Sequence, residues 1–149
     1  MGYIAHMNFG YLLYPWGDPR LLDFEDNSDH VNAIADRSQG FVWRLKDGEF
    51  ELPENDLENL FGRPDVAAAT LSVWANFEYF EHFVHKTVHS KFLDRRREWF
   101  ENIDVPSYVI WPVDAGDIPS LTEGKEKLNF LMDNGPSEEA YNFKYKSIG

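Results

Sequence analysis

The sequence predicts an α+β fold, a four-stranded antiparallel sheet with helices on one face, and three observations carry that prediction. Short runs with the two-residue period or β-branched and aromatic content of strands stand at residues 4–10, 41–45, Ala67–Trp74 and Tyr108–Val113. Segments 21–37 and 77–100, with apolar residues at three- and four-residue spacing, separate the first strand from the second and the third from the fourth. The chain of 149 residues is the length of one domain, and no repeat, low-complexity tract or long linker divides residues 1–149.

Each element has a local reason. In the first strand Ala5, Met7 and Phe9 alternate with His6 and Asn8 before Pro15, Gly17 and Pro19 break the run. The first helix places Leu22, Phe24, Val31, Ile34 and Ala35 along one side, and Ser38-Gln39-Gly40 stops it. The second strand ends at Lys46-Asp47-Gly48, and residues 49–64, with two Pro and several acids, read as a surface excursion containing one helical turn. Asn76 caps the segment 77–100, in which Phe77, Phe80, Val84 and Val88 form a buried stripe and a bend is expected near residues 87–90. Ser120 and Glu123 form a capping box opening an extra C-terminal helix, Leu121–Asn134, closed by Gly135-Pro136. Residues 143–145 read as a short strand or a tail.

Two β-α-β units returning strands to one sheet make a ferredoxin-like arrangement. Its second face needs a cover, and an aromatic-rich face suits a homodimer that closes two sheets into a dimeric α/β barrel.

Composition narrows the chemistry. With no Cys, disulfides, thiolate nucleophiles and Cys-ligated metal centres are excluded. The net charge of −12 repels a phosphate backbone, so no nucleic-acid partner is expected. No window of about 18 uncharged apolar residues exists and the N-terminus lacks a signal-peptide pattern, so the expectation is a soluble cytoplasmic protein with no membrane partner. No glycine-rich phosphate loop, Gly-x-Ser-x-Gly elbow or dinucleotide fingerprint occurs. The aromatic fraction of 16%, five of the residues Trp, exceeds ordinary core needs and points to a lined pocket or an interface as well as a core.

Several strings then resemble a known family: Gly40-Phe41-Val42-Trp43-Arg44-Leu45, Leu71-Ser72-Val73-Trp74, Phe83-Val84-His85 leading to His89, Arg95-Arg96-Arg97-Glu98-Trp99-Phe100-Glu101, and Gly135-Pro136. Over nearly the whole chain they resemble the uncharacterised domain of unknown function 3291, of the dimeric α/β-barrel superfamily. The resemblance implies the same fold. It leaves the reaction open among cofactor-independent antibiotic-biosynthesis monooxygenases, polyketide cyclases, haem-degrading or haem-dependent enzymes, and small isomerases and decarboxylases. The chain departs from the pattern at His85, where similar sequences more often carry Tyr.

Candidate residues fall in three sets. His82, His85 and His89 share one flank of the second helix, each of the first two four residues after a Glu, Glu78 or Glu81. They suit a transition metal or one axial ligand to haem, with His85 or His89 as ligand, although surface histidines paired to those acids is the plainer reading. His89 also lies in the family-like segment and has the pKa of a general base. Strand alternation supplies the second set. With Ala5, Met7 and Phe9 packed on the helices, His6 and Asn8 point into a cavity on the open face, joined by Trp43 or Arg44, by Ser72 or Trp74, and by Trp111. Slippage by one residue exchanges the assignments. The third set, Arg95, Arg96 and Arg97, is read as structural, one pairing with Asp94, Glu98 or Glu101 and another packing on Trp99.

The resulting expectation is a small tailoring enzyme acting on an apolar or aromatic oxygenated metabolite, of cofactor-independent monooxygenase, cyclase or isomerase type. His89 or His6 serves as base, Asn8 and Arg44 stabilise an enolate-like oxygen, and Trp43, Ser72, Trp74 and Trp111 contact the substrate. Its partners are a small-molecule substrate and a second copy of the chain. The alternatives are a haem- or metal-dependent enzyme and a non-catalytic small-molecule-binding dimer.

Overall fold

A computed structural model describes residues 2–46, 49–50, 52–63, 65–86, 95–103 and 106–148. The strands are β1 (Tyr3–Tyr11), β2 (Phe41–Arg44), β3 (Ala67–Trp74) and β4 (Tyr108–Val113), in the spatial order β2-β3-β1-β4 with antiparallel neighbours throughout. The helices are α1 (Leu22–Arg37), α2 (Leu57–Phe61), α3 (Phe77–Lys86), α4 (Leu121–Asn134) and α5 (Phe143–Ile148). This is the ferredoxin-like α+β architecture, with α1 and α3 crossing between strands on one face and the extra C-terminal helix α4 on the other.

Register determines what each face carries. Ala5 lies opposite Val73 and Trp111, and Met7 opposite Leu71 and Val109. That face packs on Leu121, Leu128 and Leu131 of α4 and on Phe61 of α2. His6 lies opposite Ser72 and Ile110, and Asn8 opposite Thr70 and Tyr108. This second face meets Ala35 of α1 and Phe80, Phe83 and Val84 of α3 through Ile4, Trp74 and Ile110. The packing thus corrects the expected orientation. Ala5, Met7 and Phe9 do face helices, but these are α4 and α2, whereas the crossover helices α1 and α3 cover the His6 face. The face expected to be open is covered from within the chain.

Closeness on the α4 side depends on glycine. A Cβ on Gly124 would stand 3.1 Å from Met7 Cβ and 3.2 Å from its Cγ, so only hydrogen at this position lets the helix backbone descend onto β1. Asn55, buried in the excursion, holds the start of the same helix. Its Oδ1 accepts from the Leu121 backbone N–H at 2.9 Å and its Nδ2 donates to the Glu49 carbonyl at 3.1 Å. Asn55→Ala is expected to cost about 1–3 kcal/mol, because both backbone groups lose their partners in a water-poor place. Urea denaturation measures it, and a loss below about 0.5 kcal/mol, the size of an ordinary surface substitution, would remove Asn55 from the docking of α4.

Other expectations change locally. α3 has Asn76 Oδ1 accepting from Tyr79 N at 3.0 Å, as a cap should, but the helix does not continue to residue 100. Residues Arg96–Glu98 form a 3-10 turn, after which Phe100 bridges to Leu12 and Glu101 N donates to Tyr11 O at 2.8 Å. Burial of Trp99 beside Leu12, Leu21 and Phe24 outweighs the gain from helical continuation. The expected bend at 87–90 and His89 itself lie outside the described residues. Residues 143–145 are not a strand but part of α5, whose N-terminal Asn142 accepts from Tyr145 N at 2.9 Å.

Candidate functional site

A cavity of about 650 Å³ lies on the helix-covered face. Its size follows from the sequence of the sheet beneath α1. Gly10, Ala68, Thr70 and Ser72 are small, so α1 and the sheet cannot fill the space between them there, whereas nearer α3 it is filled by Trp74, Phe80 and Phe83. Phe24, Val31 and Phe100 give the other apolar walls, and Glu25, Asp26 and Asp29 line the α1 side. No helix among the described residues is long and apolar enough to cross a membrane.

His6 stands on the floor, 8% exposed, its ring 4.6 Å from that of Phe80 and 5.9 Å from that of Tyr108. Asn8 is two residues on along the same face. The Thr70 hydroxyl donates to its Oδ1 at 2.8 Å, which orients the amide and leaves Nδ2 as the atom able to donate to a ligand. Ser72 Oγ accepts from Trp74 Nε1 at 3.1 Å, and both residues line the cavity. Arg44, opposite Ser72, also lines it, but its guanidinium is held by Asp36 of α1 at 2.8 and 3.2 Å. That hydrogen bonding, before any other influence, lowers the Asp36 pKa from the ordinary carboxylate value. Tyr108 of β4 and Tyr141, bridged to Ile110 of β4, are not bases at neutral pH. Desolvation raises the Tyr108 phenol, and the same effect, with Glu138 and Glu78 nearby, pushes Tyr141 up to about 12.

Trp43 and Trp111 require correction. Trp43 lies opposite Val73 and Trp111 opposite Ala5, so both belong to the α4 face and pack in its core, away from His6. In β2 alternation alone puts Trp43 opposite to its neighbour Arg44, and the register shift between Phe41 and Trp43 brings Phe41 to the Arg44 side. The indole N–H of Trp111 is buried without a hydrogen-bond acceptor. His82 and His85 lie on the exposed flank of α3, with His85 Nδ1 3.2 Å from the Glu81 carbonyl oxygen and its ring edge-on to Phe143. Among the described residues no three His, Cys, Asp or Glu side chains gather as metal ligands; His89 is outside them.

One residue is misjudged by the structural reading of the arginine run. Arg95 alone does both things expected of two arginines, bonding Glu98 at 2.9 Å and stacking over Trp99 at 4.7 Å. Arg96 instead lines the cavity, its guanidinium 4.7 Å from the centre of the Phe100 ring. Desolvation lowers its pKa from the ordinary guanidinium value. The available signal was the i, i+3 and i, i+4 pairing of Arg95 with Glu98 and of Arg96 with Phe100.

The structure is a ferredoxin-like α+β domain with an open cavity between its sheet and its crossover helices. The chain belongs to the family described as domain of unknown function DUF3291, whose model matches residues 3–148. Among solved structures it is similar to SnoaB, a cofactor-independent oxygenase from Streptomyces nogalater, at 14% identity and a TM-score of 0.52, covering 80% of this chain and all of the other. A protein of unknown function from Nitrosomonas europaea is 11% identical with a TM-score of 0.48, over 80% of this chain and 97% of that one. No curated protein matches the sequence.

Proposed function

We propose that the protein is a small tailoring enzyme that deprotonates an aromatic oxygenated metabolite in the cavity between the sheet and α1 and α3. The carrying observation is the placement of His6 and Asn8 on adjacent same-face positions of β1, inside one 650 Å³ aromatic-walled space. A flat ligand lies against Trp74, Phe80 and Phe24, which bury its rings. His6 takes a proton from an acidic carbon or phenol, and the Asn8 Nδ2 hydrogens meet the oxygen on which the negative charge collects. Arg44, fixed by Asp36, orients the Ser72 end. Trp43 and Trp111 have no part in it. The likeness to a cofactor-independent oxygenase supports a reaction of this kind without a bound cofactor, as an analogy of fold. His89 remains a second candidate base.

Proton–deuterium exchange at the acidic carbon of 2-tetralone in heavy water, followed by NMR, tests the step without assuming what happens to the carbanion. Wild type is expected to accelerate exchange over buffer, and His6→Gln to lose about 100-fold of that acceleration, the ordinary worth of a positioned base. Exchange at the buffer rate, or full acceleration in His6→Gln with loss in His89→Gln, would sink the assignment to His6.

A further inference from the structure

The arginines of this chain are mostly spoken for. Arg20 is bonded to Asp18, Arg44 to Asp36, Arg63 to Glu101 and Arg95 to Glu98. Arg96 has no carboxylate partner among the described residues, although the chain carries 26 acids and Glu25, Asp26 and Asp29 line the same cavity. Arg37 and Arg97 also lack one, but they are exposed and water satisfies them. Arg96 is only partly exposed, so its guanidinium is available to the cavity, and its position is built. Phe100 stacks beneath its plane, and Gly10 leaves room, since a Cβ there would stand 3.1 Å from Arg96 Nη2 and 2.7 Å from the Phe100 ring.

We propose that the cavity takes an aromatic monoanion whose carboxylate or other anionic oxygen is held by Arg96, with Asn8 Nδ2 donating from the neighbouring strand position. This rests on the reading of the cavity as a small-molecule site. The guanidinium presents a flat fork suited to two oxygens, and the ring of such a ligand meets the same Phe and Trp walls that accept a neutral aromatic. Glu25, Asp26 and Asp29 repel any anion, a dianion twice as strongly as a monoanion, so the single charge is the one Arg96 has least to overcome in holding. Arg96 is therefore a binding residue that selects the substrate, separate from the base.

Calorimetric titration with 2-naphthoate and with 2-naphthamide, its neutral near-isostere, tests this. Wild type is expected to bind naphthoate about tenfold more tightly than naphthamide, the worth of one charge-assisted contact in a solvent-open site. Arg96→Gln should abolish the preference, Arg96→Lys should keep part of it, and Arg97→Gln, the same charge change on the exposed neighbour, should keep all of it. Equal binding of both probes by wild type, or an undiminished preference in Arg96→Gln, overturns the role of Arg96 and leaves the cavity reading standing. Failure of both probes to bind wild type overturns the cavity reading and this inference with it. The wild-type comparison holds even where a variant does not fold.

Discussion

Trp74→Ala is expected to lower stability by about 3–5 kcal/mol, the range for removing a large buried aromatic side chain. The indole is 1% exposed and serves two structures at once. Its ring stacks on Phe83 at 5.0 Å and meets Phe41 at 5.4 Å and Phe80 at 5.6 Å, tying β2 and α3 to the sheet. Its Nε1–H donates to Ser72, so truncation also frees that hydroxyl on the cavity floor. Trp74→Phe retains most of the ring contacts and should cost less than half as much. Equilibrium unfolding in guanidinium separates the two, and a Trp74→Ala loss below about 1 kcal/mol would mean that the aromatic cluster collapses around the gap and is not the anchor described.

The second large effect is expected at Gly40, in the turn from α1 to β2. Its φ is +84°, a region that a side chain makes costly, and a Cβ would overlap the Tyr79 ring carbons. Both conditions act together: the turn needs the left-handed backbone, and Tyr79 of α3 occupies the place where a methyl would go. The Gly40 carbonyl also accepts from Ala75 N at 2.7 Å, so the backbone cannot swing clear without breaking the junction of β2 and β3. Gly40→Ala should therefore cost about 2–5 kcal/mol, the sum of backbone strain and overpacking. For a chain of this length that is a fall in Tm of about 5–15 °C. Gly40→Ala combined with Tyr79→Ala should recover only the overpacking part; full recovery would show that the backbone conformation carries no cost.

Much of the architecture was legible because its causes are local. β3, β4 and α4 lie where alternation, helical spacing and the caps at Ser120 and Gly135 place them, since each signal acts within a few residues. His6 and Asn8 were likewise readable as neighbours on one face, because a strand fixes the relation of residues two apart. What alternation cannot do is relate one strand to another. Trp111 and His6 seemed to share a face, yet the β1–β4 register pairs His6 with Ile110 and sends the indole to the other side. In β2 the choice left open between Trp43 and Arg44 falls to Arg44, and the bulge at Val42, which no local pattern marks, adds Phe41 to that side.

The sequence by itself therefore determined the four strands, α1 and α4 in their order, and that an aromatic-rich α+β sheet with His6 and Asn8 side by side would result. Tertiary structure decided which face the crossover helices cover, that α4 rather than an open cavity lies over Trp111, and that Arg96 rather than Arg95 enters the cavity. The division has a physical cause. Propensity, capping and period are properties of neighbouring residues, whereas facing, register and the choice of carboxylate partner are settled only when distant segments compete for the same buried space.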